Sequence, residues 1–277
     1  MDSTMLSFLA APFAASLILT GIHAYLGVHV IERGVIFVDL SLAQFAVLGA
    51  TLALVLQAGG QHTPLVYWMS LGFTFIGAAV FATVRTHKSR IPQEAVIGIC
   101  YAVASAASIL AMSKAPSESE HLKDMLVGNI LAVSWEKVFL TALLYAAIGA
   151  FHFIFRKKFL AISIDHERAE ESGVNVRFWD FLFYASFGFV VTSSVSIAGV
   201  LLVFCYLIVP SVAAILYSEH IGTRLAIGWT MGTVVSAVGV YLSLVLDFPT
   251  GATIVCTFGV ALAIMAACRP FILRAAR

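Results

Sequence analysis

Residues 178–217 read FWDFLFYASFGFVVTSSVSIAGVLLVFCYLIVPSVAAILY, and Asp180 is the only Asp, Glu, Lys or Arg among them. A helix needs about 20 apolar residues to cross a 30 Å hydrocarbon core, so the stretch predicts two crossings, 178–196 and 199–217. Only Ile197 and Ala198 separate them, which fits a tight hairpin or a re-entrant turn. Backbone inside lipid must hydrogen-bond to itself, and runs this long and evenly apolar are not barrel strands. The stretch is helical.

The same criterion, applied outward, gives seven more spans at roughly 5–28, 35–57, 64–84, 95–112, 138–155, 225–246 and 251–268. The fourth and ninth in chain order are short for a full crossing. Composition agrees. Of 277 residues, 61% are hydrophobic and 11% charged, with mean hydropathy +0.98, against about 25% charged in soluble domains. That excludes a soluble enzyme, a nucleic-acid binder and a disordered chain. Sixteen Lys and Arg nearly cancel fifteen Asp and Glu, so no charge bias points to a partner. The expected fold is an all-α polytopic membrane protein of about nine transmembrane helices. Met1–Thr4 carries no Lys or Arg, so the N-terminal run reads as a first span rather than a signal peptide. The four cysteines, Cys100, Cys205, Cys256 and Cys268, show no C-x-x-C spacing.

Thirteen of the sixteen cations fall in one set of alternate connections: Arg33; Arg85, Lys88 and Arg90; Arg156, Lys157, Lys158, Arg168 and Arg177; Arg224; and Arg269, Arg274 and Arg277. The other set holds Lys114, Lys123 and Lys137, all in one segment. The positive-inside rule then puts the N-terminus outside and the C-terminus in the cytoplasm. Two connections are long enough for structure of their own, an outer one at 113–137 and an inner one at 156–177. No repeat or linker divides the chain, so 1–277 reads as a single domain.

No G-x-x-x-x-G-K-[ST] loop occurs. Energy for pumping would have to come from another subunit or a coupled ion, and the inner segment is the place to seek a docking device. There Asp165 is an N-cap, with acidic and helix-forming residues after it, and Gly173 a C-terminal stop, which predicts a two-turn helix. Ala169 and Gly173 share a face and are small enough to admit a close partner. Chemistry alone also fits a solvated surface helix.

Asp39 falls within the second span, where a carboxylate is costly and by default belongs to a pathway or a pair. Two readings stand, a pathway residue or a partner of Arg33. His23 and His152 fit either a pore lining or hydrogen-bonded structure. Glu118, Glu120, His121 and Asp124 form an outer acidic cluster that fits either the attraction of cations or a solvated, charged face that meets a partner. Asp180 and Asp247, near span ends, are expected to reach water. Thr192, Ser193, Ser194 and Ser196 are expected to bond helix to helix.

Glu167-x-Ala169-x-x-x-Gly173 resembles the coupling-helix signature of ABC importer permeases. Gly27-Val28-His29-Val30-Ile31-Glu32-Arg33 through Gly49 resembles the first cytoplasmic turn and second helix of one branch, the permease subunits of zinc/manganese-type metal-ion importers. Leu126-Val127-Gly128-Asn129-Ile130-Leu131 resembles that branch's outer L-[LF]-G-[ND]-I-L segment. The stretch from Ile197-Ala198-Gly199-Val200-Leu201-Leu202 through Pro210-Ser211-Val212-Ala213-Ala214 resembles its G-x-L-L-V…P-A-x-x-A motif. The resemblance implies a type II ABC importer permease with no enzymatic activity or resident cofactor. It implies a homodimer in the bacterial plasma (inner) membrane that forms a pore for zinc, manganese or iron ions. Cytoplasmic ATP-binding subunits would dock on Glu167, Ala169 and Gly173, and an extracytoplasmic binding protein would deliver the ion.

The family's metal-binding G-D-A-x-S-H is replaced here by Phe37-Val38-Asp39-Leu40-Ser41-Leu42-Ala43-Gln44. With Gln44 at the His position, Leu40 takes the Asp position and Asp39 falls one residue early. Five positions on an ideal helix are about 140° apart, so Asp39 and Gln44 share a face only across a π-bulge. An amide is also a weaker zinc ligand than imidazole. Asp39, Ser41 and Gln44 are the pathway residues this implies, with Asp39 the metal ligand. The alternatives are a secondary transporter with Asp39 as relay and an ABC permease for a non-metal cargo. An intramembrane enzyme would need H-E-x-x-H or G-x-S-x-G, and the chain has neither.

Overall fold

The computed structural model describes residues 3–57, 64–84, 91–113, 128 and 130–275. The acidic cluster at 118–124, Lys114, Lys123 and the cations Arg85, Lys88 and Arg90 lie outside them. Among the described residues there are helices and turns and no strand. The long helices are α1 (Ser3–Glu32), α2 (Val38–Gln57), α3 (Pro64–Val84), α4 (Gln93–Met112) and α5 (Trp135–Ile154). Two short ones follow, α6 (Arg156–Ile164) and α7 (His166–Glu171), and then α8 (Val176–Ile215), α9 (Ile221–Leu246) and α10 (Thr250–Ala275). A single 3-10 turn spans Ile130–Ala132.

Eight of these helices are long and apolar enough to cross a membrane. The nine expected spans map onto them because α8, 40 residues long, is interrupted at Gly199 (φ 74°, ψ 163°). Its two halves, 176–198 and 200–215, are the sixth and seventh spans. The fourth and ninth are longer than hydropathy suggested, at 20 and 26 residues.

Local signals account for the helix starts. Ser134, Asp165 and Asn175 each accept, through a side-chain oxygen, from the amide three residues on, at Lys137, Arg168 and Phe178. This satisfies amides that have no partner within their helix. Pro64 opens α3, where its missing N–H costs nothing.

The helices gather into two compact units. One comprises 1–31, 127–147 and 197–277. Its α9 buries Gly228, Gly232, Ser236, Gly239 and Ser243 along one stripe, and small residues let backbones approach closely where no hydrophobic force drives helices together in lipid. Tyr206 is fully buried, edge-on to Phe258 at 5.6 Å. Gly128 (φ 71°) sits directly against the backbone of Ala198 and Gly199, so that a Cβ there would overlap the Ala198 carbonyl. Two stretches 70 positions apart in sequence thus meet at the break in α8.

The other unit comprises 32–126 and 148–196. Its α2 buries Leu42, Ala43, Ala46, Val47, Ala50, Ala53 and Leu54 and packs on α3 and α4. An aromatic cluster fills the rest. The His152 ring stacks on Phe159 (4.3 Å, 12°), Phe159 meets Phe183, and Tyr184 bridges Phe183 and Phe81.

Gly128 and Gly173 both need the left-handed region, but only Gly128 is also closed in; a Cβ on Gly173 (φ 83°) would meet nothing within 4 Å. Gly173→Ala should cost only the conformational penalty of about 1–2 kcal/mol. Gly128→Ala should lower the thermal unfolding midpoint distinctly further. Equal shifts in the two variants would show that the backbone contact at the α8 break contributes nothing.

Candidate functional site

The 156–177 segment folds as two helices rather than one. Sequence reading located α7 but not α6, whose Arg156, Lys157 and Lys158 are exposed while Phe159, Ile162 and Ser163 are buried. α7 carries both of its expected caps. Asp165 Oδ1 accepts from the Arg168 amide at 3.0 Å. At the other end the Gly173 amide donates to Glu170 O (2.9 Å) and the Val174 amide to Ala169 O (3.1 Å). That pair of bonds is the Schellman arrangement, and the positive φ of Gly173 makes it possible. Glu167 and Gly173 are exposed, whereas Ala169 is only 4% exposed and packs into its own chain.

The α1–α2 connection bears the second group of residues. Asp39 lies in the first turn of α2 and is 1% exposed, and its Oδ1 has no hydrogen-bond partner. The Ser41 hydroxyl is likewise buried and unpartnered, and Gln44 is 6% exposed. A carboxylate in a first helical turn benefits from the partial positive charge of that terminus. The Glu94 carboxylate, from the first turn of α4, accepts from the Phe37 amide at 3.0 Å and closes the α2 N-terminus from outside. α2 is continuous α-helix with no π-bulge, so Asp39 and Gln44 keep their separation of about 140° around the axis. Among the described residues no three His, Cys, Asp or Glu side chains converge as metal ligands would.

Asp39 does not pair with Arg33. Arg33 instead donates from Nη1 to Asp180 Oδ1 (2.5 Å) and from Nε to Ser163 Oγ (2.9 Å), with its Cζ 4.0 Å over the Phe183 ring. Both charged side chains are fully buried. The expectation that Asp180 reaches water is therefore wrong. The helix runs past it in both directions, from Val176, and folds Asp180 inward. Ser163 donates onward to Phe159 O at 2.8 Å. Sequence reading missed this triad because its members are 130 and 147 positions apart. The one available signal was Asp180, alone among Asp, Glu, Lys and Arg in the apolar run 178–217.

The remaining polar candidates among the described residues, Asp247 apart, are hydrogen-bonded within the chain. His23 donates from Nδ1 to Leu19 O (2.8 Å) and lies edge-on to Tyr145. Ser186 donates to Phe183 O, so His152 Nε2–H donates to Ser186 at 2.8 Å. Thr192 bonds across to Thr74 of α3 at 3.2 Å, while Ser193, Ser194 and Ser196 donate back to carbonyls of their own helix. Asp247 is exposed in the left-handed conformation at the end of α9.

Removing one partner of a buried ion pair leaves an uncompensated charge and typically costs about 3–5 kcal/mol. Asp180→Ala should therefore unfold at a much lower temperature than Asp39→Ala, which leaves no cation behind. Comparable midpoints in detergent would refute the pairing as a stabilising element.

Residues 5–269 match the ABC 3 transport family. Among curated proteins, the manganese transport system membrane protein MntC of Listeria innocua is 32% identical over 196 residues, covering 68% of this chain and 69% of the relative. A probable iron transport system membrane protein of Haemophilus influenzae is 26% identical over 260 residues, covering 91% and 89%. Among solved structures, PsaBC from Streptococcus pneumoniae in complex with Fab superposes with a TM-score of 0.77 at 26% identity, over 93% of this chain and 90% of that one.

Proposed function

This chain belongs to the ABC 3 transport family, and we propose that it is the permease of an importer for divalent manganese, iron or zinc ions. It is a membrane component without an ATP-binding site of its own, and ATP hydrolysis belongs to separate subunits. Family membership sets aside the secondary-transporter reading. In the proposed assembly the chain is a single permease domain, paired with a second copy in the bacterial inner membrane, with its N-terminus outside and its C-terminus in the cytoplasm. An extracytoplasmic binding protein releases the ion to the dimer.

The observation that carries the reading is α7, a six-residue helix capped at both ends, with Glu167 and Gly173 open on its surface. A segment this short holds its shape only because caps satisfy its end groups, so it presents a defined surface for an ATP-binding subunit. Glu167 supplies charge and Gly173 close approach. Ala169, packed inward, supports the docking surface from beneath.

Asp39 is the proposed contact for the cation in transit. A buried carboxylate oxygen without a hydrogen-bond partner favours a divalent ion strongly in a low-dielectric setting. Ser41, two positions on, stands about 160° away around the axis of the unbroken helix. Gln44 faces elsewhere on α2. That geometry also supports a second reading, in which the cargo is not a bare metal ion, because the family's Asp–His pair is not reproduced here.

Asp39→Asn should reduce Mn2+ uptake by about tenfold, equivalent to roughly 1.4 kcal/mol, with the ATP-binding subunit still co-purifying. Gln44→Ala should stay within about twofold of wild type on the same energetic scale. Gly173→Leu should lose the ATP-binding subunit during purification, while the chain itself still inserts. Normal uptake in both Asp39→Asn and Gln44→Ala would move the binding site off α2, and normal uptake in Gly173→Leu would refute the docking surface.

A further inference from the structure

The Arg33 network joins the two functional segments, and the proposed function alone does not require that. Arg33 donates in two directions at once, to Ser163 of α6 and to Asp180 of α8. Ser163 stands two residues before Asp165, the cap of α7, and is itself tied to Phe159 O. On its other side Arg33 opens the short turn that leads into α2. There the Val38 amide donates to Val35 O, the Phe37 amide to Glu94, and Asp39 follows directly. All these residues belong to the same compact unit.

We propose that Arg33 is a positioning residue that couples α7 to the start of α2. A displacement of the docking segment then reaches the turn that carries Asp39. The inference rests on the docking role proposed for Glu167 and Gly173. A planar guanidinium suits the task. Its donors are fixed relative to one another, so Ser163 and Asp180 cannot move independently while both bonds hold. Phe183 beneath the group restricts the remaining rotation. A flexible ammonium would hold either partner but not their mutual geometry.

Stability and coupling can be separated, because replacing a buried ion pair by apolar residues of similar volume is often neutral for folding. The test uses the complete transporter, reconstituted in liposomes with its ATP-binding subunits and binding protein. Mn2+ uptake and ATP hydrolysis are measured on the same sample. Arg33→Met/Asp180→Leu should unfold near the wild-type temperature and retain the ATP-binding subunit. Its Mn2+ ions moved per ATP should nevertheless fall about tenfold, within the usual range for coupling between sites. Ser163→Ala, which keeps the ion pair, should lose about threefold, the scale of one hydrogen bond.

A ratio within twofold of wild type in the double variant would overturn the proposal and reduce the pair to a structural clamp. If the double variant does not accumulate, Ser163→Ala and Arg33→Lys decide on the same ratio, and unchanged coupling in both overturns it. Gly173→Leu, run beside them, keeps the two ideas apart. A normal Gly173→Leu transporter would refute the docking surface. A defective one, next to normal coupling in the Arg33 and Ser163 variants, would refute the Arg33 assignment alone.

Discussion

One fully buried guanidinium, that of Arg33, ties together segments of this chain that are far apart in sequence. Desolvating Arg33 and Asp180 together costs several kcal/mol per ion, and the cost is recovered only if the surroundings hold both groups in a good geometry. The aromatic cluster does this. Phe183 lies under the guanidinium, Phe159 under His152, and Tyr184 against Phe81. The α1–α2 turn, α6 and the beginning of α8 are thereby specified together, because a shift in any of them would strand a charge away from water.

The two compact units are packed by different chemistry. One relies on rings, which bring area and preferred edge-on geometry at the price of rigidity. The other relies on a stripe of Gly and Ser along α9 and on the absence of a side chain at Gly128. In lipid, water expulsion does not pull helices together, so contact area and directional bonds have to do so. Both solutions meet that requirement.

Much of this was legible from residue order. Hydropathy located every long helix, because spanning length is a one-dimensional property. The caps of α7 were legible because they act over three to five residues. α6 was not, since a basic start followed by Phe159 and Ile162 looks like a loop until its apolar side finds a neighbour. The Arg33–Asp180 pair was hidden for a deeper reason. A charge near the end of an apolar run looks solvated, and only the packing of helices far apart in sequence decides whether water reaches it. For Asp39 and Gln44, spacing alone anticipated that they stand on different faces, and the unbroken α2 leaves them there.

The seat of Gly128 on Ala198 and Gly199 carries an evolutionary consequence. Most steric conflicts in a protein can be relieved by trimming the opposing side chain, which is how second-site suppressors usually arise. Here the opposing atoms are a carbonyl and an amide, which every residue possesses, and no substitution makes them smaller. A lineage that gained a side chain at Gly128 could recover only by shifting a whole segment, through an insertion or deletion. Such a position can hold its residue through long divergence while much of the apolar surface around it drifts.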